Sequence, residues 1–492
     1  MKPTLTFISC LLACCLWAEG HFEFTPDVRR AYEQATSLRF QEAQLTLAQV
    51  KLYDPDNLTV YHVENYLDFL HLYLNPNAAD FHRLKKNQEA RLAKISAGDP
   101  QSPYYLFAQA DVRMQWALVK FRFGEWLSGF SDVNKACRLL HRNQEEFPDF
   151  LPNKKDLGFI HALAGYVPDN YKWAVQTFTC LDGTLAEGKR ELQEVLQHAQ
   201  THDFIFGAET AVMYATILLY IDGDSEGAWR ALRRANLHPT TNPLHGFVMA
   251  NVAMRSGRND RAITLLQHFP KGKAFLEIPQ IDWLLGLAKL RRLDQDAAPF
   301  FARFLQRQRG KENIKAAYQK LAWDALIRGD ANGYRRYLTK VRTRGYAETG
   351  GDQDAQREAD AEIPANADLV RARLLFDGGY FQRAYDLLAA KLSRDFPAET
   401  HQLEYFYRLG RVLHGLKRYE EALEFYKKTV DRGRERPEYF ACNAALQMGV
   451  IYEKRHQARQ AETAYRDCLS IHPKEYKNDL HRRARAGLSR LK

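Results

Sequence analysis

The chain has 492 residues, of which 46% are hydrophobic and 12% aromatic, so it is large enough to bury a long core. Its formal net charge is +10, with 70 basic and 60 acidic residues interspersed along the sequence. That mixture is typical of a solvated helical surface and argues against nucleic acid as the partner.

The first twenty residues indicate an export signal. A charged start is followed by the almost wholly apolar stretch Leu5 to Ala18, and Ala18-Glu19-Gly20 offers small residues for cleavage. We predict a signal peptide over residues 1–20 and export to the periplasm or outer cell envelope of a bacterium. One alternative is a buried core helix. Another is a lipobox, Leu11-Leu12-Ala13-Cys14, which would place a lipid anchor on Cys14.

No apolar run of membrane-spanning length follows the signal, so no transmembrane span is expected after its removal. Four cysteines remain, and they are spread too thinly to predict a disulfide framework or a zinc site. Each is expected to be a small buried residue. A disulfide between Cys442 and Cys468 is the alternative, because an antiparallel hairpin would bring them close and export implies an oxidising compartment. The four are Cys137, Cys180, Cys442 and Cys468.

Helical patterns begin directly after the signal and fill residues 21–340, and the hairpin pattern varies from one copy to the next. An early hairpin is indicated by Ala31, Ala43 and Leu47, and residues 60 to 150 predict longer helices. The segment from Asn153 to Leu196 differs, because Val167-Pro168 breaks a helix and Asp182-Gly183 marks a turn.

Residues 341–365 lose apolar periodicity. Their glycines and the polar run from Asp352 to Glu358 predict an exposed connection between two packed halves, with a short solvated helix at its centre. Repeats resume over 366–492 and end in a helix from His481, which we expect to cap the array with a polar outer face.

Two copies of one helical hairpin stand out between Glu404 and Pro473. Small residues on both helices allow close packing, and a tyrosine follows the alanine of the second helix. The first copy has Leu409, Gly410, Leu413, Ala422 and Tyr426, and the second has Met448, Gly449, Tyr452, Ala461, Tyr465 and Pro473.

This pattern resembles the tetratricopeptide-repeat family, and with the export signal it is similar to the exported bacterial members. The segment Lys155 to Leu163, with Val167-Pro168 and Cys180 to Gly183, resembles the eukaryotic inclusion-body-clearance members of the same family. The resemblance implies an all-α solenoid of helical hairpins, wound as a right-handed superhelix in two packed halves. It supplies no catalytic residues.

The sequence contains no metal-protease, phosphate-loop or paired-cysteine motif. Gly223 to Gly227 fits the Gly-x-Ser-x-Gly pattern, but a nucleophile elbow needs a preceding strand, and here the pattern joins two helices. The acids from Asp222 to Glu226 suggest a helix cap in preference to a calcium site. We therefore predict no enzyme, no cofactor and no metal.

The first helices of such repeats line a concave face, so the side chains exposed there are the candidate binding residues. They form a mixed polar and aromatic set: Arg373, Phe376, Tyr407, Arg411, His414 and Asn443. We predict a non-catalytic scaffold or adaptor of the bacterial cell envelope that binds a protein or peptide at this face. The alternatives are an envelope glycan-binding helical-repeat protein and an enzyme with a novel site.

Overall fold

A computed structural model describes residues 20–164, 180 and 183–491, and within them every regular element is a helix. The predicted all-α fold is confirmed. None of the described helices is both long and apolar enough to span a membrane. Residues 1–19 of the predicted signal peptide, which include the alternative anchor at Cys14, lie outside the described residues, as do the Val167-Pro168 break and Asp182.

The helices pack into two compact units. The first holds the described residues up to Ile217 together with Lys271–Leu276, and the second holds Leu218–Pro270 and Glu277–Lys492. The division therefore falls at residue 217, and not in the predicted connection at 341–365.

The first unit consists of ten described helices: α1 (Pro26–Thr36), α2 (Phe40–Tyr53), α3 (Thr59–Leu74), α4 (Ala78–Leu84), α5 (Asn87–Ile95), α6 (Pro103–Arg122), α7 (Trp126–Glu146), α8 (Pro152–Ala164), α9 (Leu185–Thr201) and α10 (Gly207–Ile217). Helices α1 and α2 form the predicted early hairpin, with Ala31, Ala43 and Leu47 buried between them and their neighbours.

Helices α8 and α9 cross with their backbones in contact. A Cβ added at Gly188 would lie 2.2 Å from the carbonyl oxygen of Gly158, so neither position has room for a side chain. Gly158 belongs to the Leu-Gly-Phe segment singled out in the sequence, and close packing explains its glycine.

A buried charged cluster lies at the centre of the first unit. The Lys155 Nζ of α8 is 2.9 Å from Asp111 of α6, 2.8 Å from Asp156 and 2.9 Å from Glu209 of α10. Burial alone would lower the pKa of Lys155, but these carboxylates raise it well above its usual value. The lysine therefore carries its charge inside the unit.

Polar side chains from two more helices complete this cluster. Tyr32 of α1 and Tyr66 of α3 both donate hydrogen bonds to Glu209, at 3.0 and 2.8 Å. His62 of α3 lies 2.7 Å from the Asp111 carboxylate. The cluster thus joins five helices that are distant in sequence.

The second unit begins with a π-helical segment, Leu218–Asp222, and continues with α11 (Ser225–Arg234), α12 (Pro243–Arg255), α13 (Asn259–Gln267), α14 (Gln280–Arg292), α15 (Ala298–Arg307), α16 (Ile314–Ile327), α17 (Ala331–Thr343), α18 (Gly350–Asp360), α19 (Ala367–Asp377), α20 (Phe381–Ala389), α21 (Glu399–Gly415), α22 (Tyr419–Gly433), α23 (Phe440–Lys454), α24 (Ala458–Ser470) and α25 (Lys477–Arg490). A short 3-10 turn, Ser393–Asp395, lies between α20 and α21. Consecutive hairpins stack in order, as in a helical-repeat solenoid.

Glycine and tyrosine set the spacing within the last two hairpins. A Cβ at Gly410 would lie 2.6 Å from the Tyr426 ring, and one at Gly449 would lie 2.4 Å from the Tyr465 ring. Both rings are fully buried. The Tyr465 ring also packs against Gly487 of the terminal helix α25, so one large side chain fills the space left by two glycines.

The turn between Asp222 and Glu226 is a helix cap. The Asp224 carboxylate accepts a hydrogen bond of 2.7 Å from the Gly227 N–H at the start of α11. Ser225 follows a π-helical segment and begins this helix, so it does not sit on the strand-to-helix turn that a nucleophile elbow requires.

The segment predicted to be an exposed connection is in part buried. Helix α18 lies at its centre, and Ala355 and Ala359 are fully buried against neighbouring helices. The Asp352 carboxylate accepts backbone hydrogen bonds of 2.8 and 3.0 Å from Asn313 and Ala316 at the start of α16. Apolar periodicity could not predict this packing, because α18 is held in place by a polar contact. The Asp352 carboxylate binds free N–H groups at the start of another helix.

The cysteines differ from the prediction in one pair. Cys137 and Cys180 form a disulfide across 43 residues of sequence. The prediction that each is an unpaired small residue is therefore wrong for these two. Cys442 and Cys468 are free and buried, with their sulfurs 3.6 Å apart. Spacing along the chain could not reveal the first pair, since its members come together only in the folded unit.

Candidate binding surface

The six predicted binding residues lie on three helices of the second unit. Arg373 and Phe376 are three residues apart on α19, while Tyr407, Arg411 and His414 follow one another at helical spacing on α21. Asn443 is on α23. Each of these helices is the first of a hairpin, and Arg373 and Arg411 occupy equivalent places in consecutive repeats, as do Phe376 and His414.

Tyr407 connects two of the predicted residues. Its hydroxyl oxygen accepts hydrogen bonds from Arg411 Nη1 at 2.9 Å and from Asn443 Nδ2 at 2.8 Å. The tyrosine is only 1% exposed, because its ring packs against Tyr439 and Phe440. Tyr407 therefore positions the arginine and the amide, and it offers little contact area of its own.

Arg411 joins this group to the preceding repeat. Its guanidinium lies over the Phe376 ring, 4.7 Å from the centroid, in a cation–π contact. Phe376, Tyr407, Arg411 and Asn443 thus form one continuous set across α19, α21 and α23.

His414 has a different role. Its Nδ1 lies 3.3 Å from the Tyr426 hydroxyl on α22, inside its own hairpin. Burial lowers the pKa of His414 to about 4, and the nearby charges of Arg411 and Lys454 act in the same direction. At neutral pH the imidazole is therefore uncharged and part of the hairpin's packing.

Arg373 extends the set toward α16. Its guanidinium lies 4.8 Å from the centroid of Trp323, and the Lys320 ammonium lies over the same ring at 3.6 Å. Burial lowers the pKa of Lys320 to about 7, with the positive charges of Arg373 and Arg291 contributing. Arg291, on α14, has a lowered pKa for the same reasons: burial first, then the charges of Arg255 and Arg373.

Sequence reasoning missed Arg291, Lys320 and Trp323. The predicted positions were counted only from Ala372, Gly410 and Gly449, which lie on α19, α21 and α23, so side chains of α14 and α16 were not among them. The one available signal was the pair Lys320 and Trp323, three residues apart on a helix, which places a cation over an aromatic ring.

We call this set the cation–aromatic face; its members are Arg291, Lys320, Trp323, Arg373, Phe376, Tyr407, Arg411 and Asn443. Two carboxylates, Glu358 and Asp377, contribute to its electrostatics. Glu358 accepts hydrogen bonds of 2.7 Å from Trp323 and 2.6 Å from Gln319, and burial raises its pKa. Asp377 is 4.0 Å from Arg373. Three arginines and a partly protonated lysine against two carboxylates leave the face with excess positive charge.

Comparisons with known proteins agree with the repeat pattern in part of the chain. Residues 399–474 match the family model of the tetratricopeptide repeat. These residues comprise α21 to α24, the two hairpins with the glycine–tyrosine packing. No curated protein sequence matches the chain.

Several solved structures give weak superpositions. A monomeric IFIT1 mutant with Gppp-AAAA is 15% identical, covers 89% of this chain and 79% of its own, and has a TM-score of 0.28. The structure of Naa15/Naa10 bound to HypK-THB is 12% identical, covers 95% and 66%, and has a TM-score of 0.26. The TPR domain of P58(IPK) is 13% identical, covers 83% and 96%, and has a TM-score of 0.21.

Scores this low support no conclusion about shape or ligand. The repeat signature of α21 to α24, their stacked hairpins and the family match over the same residues agree with one another. The chain is therefore a protein that carries tetratricopeptide repeats, over residues 399–474.

Proposed function

We propose that the chain is a non-catalytic scaffold of the bacterial cell envelope, and that it binds a protein or peptide partner at the cation–aromatic face. The observation that carries this proposal is the excess of cations beside aromatic rings on the first helices of consecutive repeats. Repeats of this kind commonly present such a face to a partner.

The chemistry of the face favours an extended segment with acidic side chains. Arg373 and Arg411 are only partly buried and can each present guanidinium N–H groups to a carboxylate. Phe376 lies beneath Arg411, is partly exposed, and would contact the apolar parts of the same segment. Trp323 is buried beneath Arg373 and holds that guanidinium in place. A partner carboxylate would offset the mutual repulsion of Arg291, Lys320 and Arg373.

The envelope setting rests on two features. Residues 1–20 have the pattern of an export signal. Cys137 and Cys180 form a disulfide, and disulfides persist in oxidising compartments.

The test is a pull-down from envelope extract followed by measurement of affinity for the identified partner. The variant Arg373→Ala/Arg411→Ala removes two cations from the face. The control Arg459→Ala/Arg466→Ala removes two arginines from α24 and so changes the net charge equally. We expect the wild type and the control to retain one common protein partner, and the face variant to lose it.

Two results would count against the proposal. Equal retention by the face variant and the control would place the binding surface elsewhere. Retention on envelope polysaccharide without any protein partner would favour the alternative of a glycan-binding helical-repeat protein.

A further inference from the structure

Two sulfurs and an imidazole meet in the first unit, far from the cation–aromatic face in sequence. Cys137 and His141 are four residues apart on α7, so they share one side of the helix. Cys180 completes the group: one ligand atom from each of the three residues lies within 4.8 Å of the others. In the structure the two sulfurs are joined as a disulfide.

We propose that, when this disulfide is reduced, Cys137, His141 and Cys180 bind a divalent cation of the zinc class. Thiolate and imidazole together form the donor set that zinc prefers in tetrahedral sites. Two thiolates cancel the charge of the cation, and a neutral complex suits a place where both cysteines are buried. The proposal does not depend on the function proposed for the second unit.

A second histidine lies beside this group. The rings of His141 and His161 are 6.0 Å apart, centroid to centroid. His161 Nδ1 lies 2.7 Å from the Glu191 carboxylate on α9. A carboxylate holding one ring nitrogen is the usual support of a metal-binding histidine, because it fixes the ring and orients the other nitrogen toward the metal. His161 is thus the candidate for the fourth ligand.

The disulfide and the metal exclude each other, since both use the same two sulfur atoms. A dithiol reductant supplies two electrons and two protons, which convert the disulfide to two thiols, and the reductant itself becomes a disulfide. The metal then displaces one proton from each thiol as it binds. In reverse, a disulfide oxidant accepts two electrons from the thiolates and two protons from water and becomes a dithiol, while the Cys137–Cys180 disulfide re-forms and the cation is released.

The other cysteine pair provides a matched control within the same chain. Cys442 and Cys468 are also buried, and their sulfurs are 3.6 Å apart. Among the residues that the structure describes, no histidine or carboxylate joins this pair to form a group of three potential ligands within the same distance. Two neighbouring thiols without an imidazole should bind zinc much more weakly than the group of Cys137, His141 and Cys180.

The experiment titrates the full chain with Co²⁺ as a spectroscopic probe and then with Zn²⁺ against a chromogenic chelator. It is done before and after reduction with a phosphine, which does not itself compete for the metal as a thiol would. We expect the reduced wild type to bind one equivalent with thiolate-to-cobalt absorption, and the oxidised protein to show none. The variant Cys442→Ser/Cys468→Ser should behave as the wild type does.

Two variants test the ligands. Cys137→Ser/Cys180→Ser should abolish the thiolate-to-cobalt absorption. His141→Gln leaves both cysteines in place and should weaken zinc binding about 10-fold or more. Circular dichroism of each variant checks that it folds; if the double serine variant does not, His141→Gln decides the matter alone.

The proposal is overturned if the reduced wild type shows no thiolate-to-cobalt absorption. It is equally overturned if that absorption depends on Cys442 and Cys468, or if folded His141→Gln binds zinc as tightly as the wild type.

Discussion

The two units hold their helices together by different means. In the first unit, the Lys155 cluster joins helices that are far apart in sequence through buried charges and hydrogen bonds. In the repeats of the second unit, Gly410 and Gly449 let neighbouring helices approach until a tyrosine ring fills the space. The first arrangement depends on electrostatic neutrality and the second on shape, so they should fail in different ways.

The difference also separates structural charge from charge that is available to bind. In the cluster, Lys155 is fully buried and surrounded by carboxylates. On the cation–aromatic face, Arg373 and Arg411 are partly buried, and the cations outnumber the nearby acids. A buried, compensated charge mainly specifies a fold, while a partly accessible excess of charge can recruit a partner.

Removing the central lysine should have the largest effect. Lys155→Met leaves Asp111, Asp156 and Glu209 without their shared cation, and we expect a loss of about 3–5 kcal/mol in the free energy of unfolding. Urea unfolding followed by circular dichroism measures it. Arg30→Ala, which breaks an exposed ion pair with Asp27, should leave the stability unchanged. A small effect of Lys155→Met would mean that the cluster is not essential to the first unit.

A steric change should disrupt the repeats without altering any charge. The new Cβ in Gly449→Ala would lie 2.4 Å from the Tyr465 ring, and we expect a loss of about 1–3 kcal/mol in the free energy of unfolding. The control is Gly350→Ala, because apart from its chain neighbours and its own helix backbone nothing lies within 4 Å of the corresponding Cβ. If both variants unfold at the same urea concentration, close packing at Gly449 is not limiting.

Acid should weaken the second unit through His414. The folded-state pKa of about 4 lies below the ordinary value of 6.5, so the unfolded chain binds a proton that the folded chain excludes. The stability contributed by His414 is complete above pH 6.5 and is lost as the pH falls toward 4, with a cost of about 2 kcal/mol at pH 5. His414→Gln, which does not titrate, should flatten the pH dependence of the unfolding free energy over that range. An unchanged profile would contradict this assignment.

The smallest effect is a proton taken up on binding. Burial and the charges of Arg373 and Arg291 hold the pKa of Lys320 at about 7, and a partner carboxylate nearby would raise it. Near pH 7.5 we therefore expect uptake of a fraction of a proton per partner bound, measured by calorimetry in buffers of different ionisation enthalpy. Lys320→Met should abolish the uptake. Equal heats in all buffers for the wild type would show that the partner does not reach this lysine.

The repeat region could be predicted from sequence because its packing repeats. Small residues and tyrosines at fixed offsets identified α21 to α24. The same offsets selected Phe376, Tyr407, Arg411 and Asn443, and the structure shows that these four contact one another. Offsets could not show that Tyr407 is almost wholly buried or that His414 belongs to its own hairpin. They also did not identify Lys320 and Trp323, because no repeat was counted on α16.

The sequence by itself determined the helical class and the hairpin repeats, because helix period and small-residue spacing are local properties of the chain. Tertiary structure alone decided which distant polar groups meet. It brought Lys155 to Glu209, Asp352 to the start of α16, and Cys137 to Cys180. A buried charge, a cap between helices and a disulfide each depend on partners that no local pattern specifies, since their geometry exists only after the helices have packed.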